Sequence, residues 1–434
     1  MKNAIKLFSI LLIAGFMATG CKGPIGSPGK DANASCTQCH NPSVVDAKTT
    51  EFELSKHSFG EAAATEAGSN TCGPCHLSES FKDVCKNNVA STFTLNATTG
   101  KYSNDYFSST SKAFGEINCF TCHSNLHTAF DSTDFKPLTT TAAVSMTMYK
   151  GTKSINLTQD GGSSNLCIKC HQPRPLTTST TTSNGDVVDY AVLASSPTTV
   201  FYDNAVGNAA PNKVIPSYRT HVHYGTVGAV YAGVGGVQFT GTQTYANSTH
   251  TTVASCASCH MSTMTGKAGG HSFSALGNFS GCNAAGCHAS AVTTSSTTLW
   301  VTPRTDIQTL LNSLATKINA VGAVTDVLHS EPDATLNLWA GLTTKNYDGY
   351  LNIYDPSTNH AGAWKNPAAS GSWTTAQKAT NTALPIFPSF KNVTMGSIIN
   401  FQMCLRDYSL GIHNYKYTKA LLQNSIEALT AAGY

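Results

Sequence analysis

Charge is scarce in this chain. Asp, Glu, Lys and Arg make up 12% of its 434 residues, and 27 basic against 24 acidic side chains leave a formal net charge of +3. So even a balance provides no basic footprint for nucleic acid. Beyond the first twenty residues, no run is apolar enough to span a bilayer. No Ser/His/Asp constellation, phosphate loop or paired-acid site stands out, which removes ordinary nucleophilic and phosphoryl chemistry. Long apolar periods are also few. The connecting segments are rich in Thr, Ser and Gly, as in Thr139-Thr140-Thr141 and 177–182, and offer little to build a core from.

The first residues do carry an address. Lys2 and Lys6 precede a short apolar stretch, 7–14, which closes on Ala18-Thr19-Gly20-Cys21. The pattern resembles a bacterial lipobox, with Ala18 where Leu is usual, and an ordinary secretory signal is the alternative. The expectation is a lipoprotein signal peptide over 1–20, acylation of Cys21, and a flexible Gly/Pro-rich tether over 21–33. Without Lys2 and Lys6, 25 basic residues face 24 acidic ones.

Cysteine is abundant, and its spacing is specific. Five C-x-x-C-H strings occur: Cys36/Cys39/His40, Cys72/Cys75/His76, Cys119/Cys122/His123, Cys167/Cys170/His171 and Cys256/Cys259/His260. A sixth, looser string is Cys282-Asn-Ala-Ala-Gly-Cys287-His288. Covalent haem attachment requires this arrangement. Two thiols add to the two vinyl groups, and the next residue supplies an imidazole to the iron. Zinc ribbons do not need a histidine after each pair, and disulfides would leave those six histidines unexplained. The expected cofactor is haem c, six copies. Its propionates would make the loaded protein acidic. Cys85 and Cys404 remain, either bonded to each other or both free.

Nine of the 15 histidines lie outside these strings. An iron held from one side by a motif histidine takes a second axial ligand, His or Met, so nine spare histidines for six irons predict bis-His coordination. Local context selects His57, His127, His223, His250, His271 and His413. His221 competes with His223, while His329 and His360 lie in a polar, loop-rich region and read as surface residues.

The motifs occupy a hexahaem domain, 34–300, in which loose Val/Tyr alternation over 186–201 and 214–239 suggests a small β-hairpin. The region 301–434 reads as helical and packs on that domain. Ile307, Leu310, Leu311, Leu314 and Ile318 recur at helical spacing after Thr305 and Asp306, and further helices are expected over 394–408 and 415–431.

The segments Asn118-Cys119-Phe120-Thr121-Cys122-His123, His223-Tyr224-Gly225, Gly270-His271-Ser272-Phe273 and Asp407-Tyr408-Ser409-Leu410-Gly411-Ile412-His413-Asn414 give the chain a resemblance. It is similar to the multihaem c-type cytochromes of outer-membrane and extracellular respiration, and more distantly, at its C-terminus, to octahaem reductases. The resemblance covers most of the chain and implies a fold that is mostly irregular plus α, with a haem-filled core and C-terminal helices. It implies an exported outer-membrane lipoprotein that passes electrons to or from redox partner proteins or an extracellular acceptor. No C-x-x-C-K string marks an open active haem, which favours a carrier over an enzyme. A reductase of nitrogen or sulfur oxyanions and a filament-forming homopolymer stay open as alternatives.

Overall fold

In a computed structural model of the chain, the described residues are 41–59, 72–90, 93–96, 98, 101–103, 115–123, 132–138, 142–176, 187–205, 215–288, 291–332, 345–367 and 371–434. The signal segment, Cys21, the tether, the first motif (Cys36, Cys39, His40) and His127 lie outside them.

Helices dominate the C-terminal third. The eight longer or better-packed ones are α1 (Pro42–Glu53), α2 (Ser78–Lys86), α3 (Tyr190–Ser195), α4 (Val227–Tyr231), α5 (Thr302–Ala320), α6 (Thr375–Ala383), α7 (Asn392–Arg406) and α8 (Tyr415–Ala431). Among the described residues, strands occur only in two-stranded antiparallel pairs: β1 (Thr94–Asn96) with β2 (Lys101–Ser103), β3 (Val144–Ser145) with β4 (Ser154–Ile155), β5 (Val200–Tyr202) with β8 (Phe390–Lys391), and β6 (Leu328–Ser330) with β7 (Tyr347–Leu351). Among the described residues, no helix is long and apolar enough to cross a membrane.

α5, α7 and α8 pack on one another. The stripe Ile307, Leu311, Leu314 and Ile318 is fully buried on α5, and Tyr417, Leu421 and Leu422 are buried on α8. α7 is buried on every side, as expected of a helix at the centre of a layer. The same core takes in Val144, Met146, Ile155, Val188, Phe201, Val222 and Phe239, so one apolar core runs across residue 300.

A fully buried helix must satisfy its polar side chains, and α7 does so by gripping the chain around residues 218–237. The Asn400 amide donates to Val237 O (2.7 Å) and to Ser425 Oγ (2.9 Å) and accepts from Val237 N (2.7 Å). Gln402 donates to Thr220 O at 2.9 Å. Arg406, 1% exposed, donates to Asp348 O at 2.8 Å and to His221 Nδ1 at 2.6 Å. Removing the amide in Asn400→Ala strands both backbone groups of Val237 without water. A loss of about 2–4 kcal/mol is expected, read from guanidinium unfolding followed by far-UV circular dichroism. A loss below about 1 kcal/mol would mean the grip is not where stability resides.

The hairpin expected over 186–201 and 214–239 does not form among the described residues. Asp189 accepts from Ala191 N and Val192 N and starts α3 instead. β5 finds its partner at Phe390–Lys391, far along the chain. The Val/Tyr alternation there reflects burial against α7 rather than a local ladder. Cys85 and Cys404 are both buried and free of disulfide, in two separate apolar clusters.

Candidate functional site

Three of the described motifs lie on helical turns, two of them capped by a neighbouring polar side chain and the third held by a backbone contact. Asn118 accepts from Phe120 N and starts the turn Cys119–Cys122, and Ser255 accepts from Ser258 N to start Cys256–His260. One helical turn puts residues three apart on the same side, so both thiols of each string face the same way. The turn Ser164–Ile168 carries Cys167 against α4, where Gly228 N donates to His171 O at 2.9 Å. A Cβ at Gly228 would stand 2.6 Å from Ile168 Cγ2 and 2.7 Å from that carbonyl, so only glycine permits the approach.

These turns border one continuous groove of about 3490 Å³, several times the roughly 300–1,000 Å³ of an ordinary ligand pocket. It is lined by Cys and His of all five described motifs and by apolar side chains. Phe120 (52% exposed), Val253 (64%) and Leu276 (77%) stand bare along it. α1 has no buried residue, although Val44, Val45 and Phe52 also border the groove. Exposed apolar surface of this extent marks a place that something else covers.

The histidines pair across the groove. His76 faces His223 at a ring-centre separation of 6.2 Å, His123 faces His271 at 6.3 Å, His171 faces His57 at 6.1 Å, His260 faces His413 at 6.0 Å and His288 faces His250 at 5.9 Å. Each described motif histidine therefore meets a different non-motif histidine. Two imidazoles bound on opposite sides of one metal, with bonds of about 2 Å and ring centres about 1 Å further out, stand roughly 6 Å apart. The donor set, the spacing and the apolar lining all fit haem. His221 instead has its ring contacts with His223, Tyr224 and Tyr350.

The surroundings orient several of these rings. His250 Nδ1 lies 2.9 Å from Ile412 O, His260 Nδ1 2.8 Å from Phe273 O, His271 Nδ1 3.3 Å from Glu51 Oε2 and His413 Nδ1 2.8 Å from Asp407 Oδ1. A hydrogen bond at Nδ1 leaves Nε2 as the nitrogen available to a metal and fixes the tautomer. Asn414 holds the turn behind His413. Its amide donates to Val230 O, Tyr231 O and Asn247 Oδ1, while its oxygen accepts from Ser248 N.

Burial lowers the pKa of His57 and His260, takes His171 down to about 4, and with help from Arg174 takes His223 down to about 3. Those rings are neutral near pH 7, the form that binds metal. Burial also disfavours the charged form of His413, but the charge and hydrogen bond of Asp407 together outweigh it and raise its pKa.

Neighbouring motifs touch. Cys170 Sγ donates to Cys75 O at 3.4 Å and Cys75 Sγ to Lys169 O at 3.5 Å. Cys167 and Cys256 share a side-chain hydrogen bond, and Cys259 is within electrostatic reach of Cys282 and Cys287. Motifs two, four, five and six thus form a row, with Cys122 of motif three beside Cys167 and Cys170.

Sequence reasoning misplaced His329, while His360 is half-buried. His329 is 8% exposed rather than on the surface, and His360 packs flat on Tyr218, ring centres 3.9 Å apart. Searched against family models, curated proteins and solved structures, the chain matches none.

Proposed function

We propose that this protein is an electron carrier: a six-haem c-type cytochrome, exported, held at the outer membrane by lipid on Cys21, and serving a redox partner protein or an extracellular acceptor. The observation that carries the reading is the pairing of five motif histidines with five others at 5.9–6.3 Å. Bound haem supplies a one-electron iron couple. The chain does the rest. Cysteine pairs would tether each haem, the histidine pairs would hold its iron, and Glu51, Asp407 and backbone carbonyls aim the rings. Apolar walls keep water out. Arg174, Arg219 and Arg406, whose charges all bear on His221, offer counter-charge to propionates. Contact between motifs along the row supports hopping from one site to the next.

A reductase needs an iron with one face open to substrate, and a filament that borrows a ligand in trans needs a motif histidine without a partner in its own chain. At the five described motifs, the pairings weigh against both. Low-temperature EPR of the oxidised protein tests the reading. Only low-spin ferric signals are expected. A high-spin signal amounting to one haem would replace the carrier by an enzyme with an open site.

A further inference from the structure

β6 and β7 carry a second constellation, built from residues that the histidine pairing leaves unused. His329 and Glu331 stand two apart on an extended segment, which puts them on the same face. Glu331 N donates to Asn346 O at 2.8 Å, extending the β6–β7 pairing beyond Ser330. His360 arrives from another direction. Asp355 starts a tight turn by accepting from Ser357 N, Asn359 adopts a left-handed φ of 59°, and His360 pairs back to Asp355 through two backbone hydrogen bonds. One donor atom each from His329, Glu331 and His360 then lies within 4.8 Å of the others.

We infer that His329, Glu331 and His360 form a binding site for a divalent first-row transition metal, distinct from the haem-ligating pairs. Bonds of about 2.0–2.2 Å to a common centre place donors roughly 3–4 Å apart, so a small side-chain adjustment completes the triad. Two imidazoles and one carboxylate suit zinc or iron(II) and do not suit calcium or magnesium, which take oxygen donors.

The support around the triad is that of a metal site. Asp348 Oδ2 lies 2.7 Å from His329 Nδ1, the carboxylate–histidine arrangement that fixes the tautomer and turns Nε2 outward. Tyr218 holds His360 from the other side. Its hydroxyl is 2.7 Å from His360 Nε2 and 3.5 Å from Asp348 Oδ2, and its ring is also stacked on Tyr350 at 4.3 Å. No hydrogen bond or ion pair among the described residues engages the Glu331 carboxylate, which leaves it available as a donor. Three protein donors leave a fourth position of a tetrahedron for water or a ligand. Glu331, Asp348 and His360 also line the large groove, near His221, His223 and Arg406.

This inference does not rest on the electron-carrier reading, and its test is independent of haem content. The full-length holoprotein is stripped with a chelator, loaded with Zn²⁺ alone, and its zinc counted by mass spectrometry against protein, with affinity from chelator competition. One zinc per chain is expected, with imidazole and carboxylate donors in the zinc-edge absorption spectrum and no displacement by excess Ca²⁺. Glu331→Gln and His360→Ala should abolish stoichiometric binding. Asp348→Asn should weaken it roughly 10–100-fold, as loss of a carboxylate behind a ligating histidine does. Glu331→Gln keeps the side-chain shape, so its effect does not depend on whether His360→Ala folds. The inference is overturned if the wild type takes up no zinc, or if either ligand variant takes up as much as the wild type.

Discussion

The His413→Ala variant is expected to retain its full covalent haem content while one haem turns from low to high spin and its reduction potential rises. The partner of His413 is His260, at a ring-centre separation of 6.0 Å, and removing one imidazole leaves that iron five-coordinate or bound weakly by water. The remaining pairs are formed by other residues and should keep their spectra. The effect should be confined, because His413 is held from behind by fixed groups. Asp407, fully buried, accepts at Nδ1, and Ser409 Oγ accepts from His413 N at 3.1 Å. Those partners stay in place when the ring is lost, so the turn into α8 should survive. The measurement is EPR with intact mass on the same sample. An unchanged low-spin spectrum would sink the assignment and move the ligand to His221, His329 or His360.

The position of His413 also shows what could be read from the sequence and what could not. Its neighbourhood marked it as a candidate, but nothing in the order of residues joined it to His260, 153 positions earlier. None of the five pairings follows sequence proximity to the preceding motif. His57, which comes soon after the first motif, faces His171 of the fourth, and His271, after the fifth, faces His123 of the third. Covalent attachment is a local requirement, so C-x-x-C-H strings are legible as strings. Axial closure is a tertiary property, decided by how α1, α7 and the loop 261–273 fold around the groove.

The same division holds for the fold. The stripe Ile307, Leu311, Leu314 and Ile318 reads as a helix because helical period and burial coincide on α5. α7 has no such contrast, being buried all round, and its polar residues carry the information instead. Asn400, Gln402 and Arg406 form the grip on 218–237. The alternation that suggested a hairpin is a by-product of that grip. His329 and His360 were hidden for a related reason. Their setting depends on Asp348 on β7 and on Tyr218, which packs beside it although the sequence keeps the two well apart.

The largest effect is expected from removing the fourth attachment site in a Cys167→Ser/Cys170→Ser double variant. This motif is the crossing point of the row. Cys170 contacts Cys75 of motif two, Cys167 shares a hydrogen bond with Cys256 of motif five, and Cys122 of motif three lies near both. Its histidine sits against Gly225, where φ is +60° and a Cβ would stand 3.2 Å from His171 Nδ1. It also faces His57, just beyond α1, a helix with no buried residue, tied elsewhere through Glu51 to His271. Loss of the group between these residues should loosen the end of α1 and open the apolar groove to water. The cost should be at least the roughly 3–5 kcal/mol that follows truncation of a large buried aromatic side chain. Intact mass should fall by one haem. Stopped-flow reduction should split into two phases, because sites on either side of the gap no longer exchange electrons quickly. The control is Cys282→Ser/Cys287→Ser, at one end of the described row. It should also lose one haem but keep single-phase reduction and most of the stability, since among the described motif cysteines only Cys259 lies near that pair. Identical kinetics and stability in the two variants would mean that the fourth motif is not the junction, and that electrons cross the groove by another order of contacts.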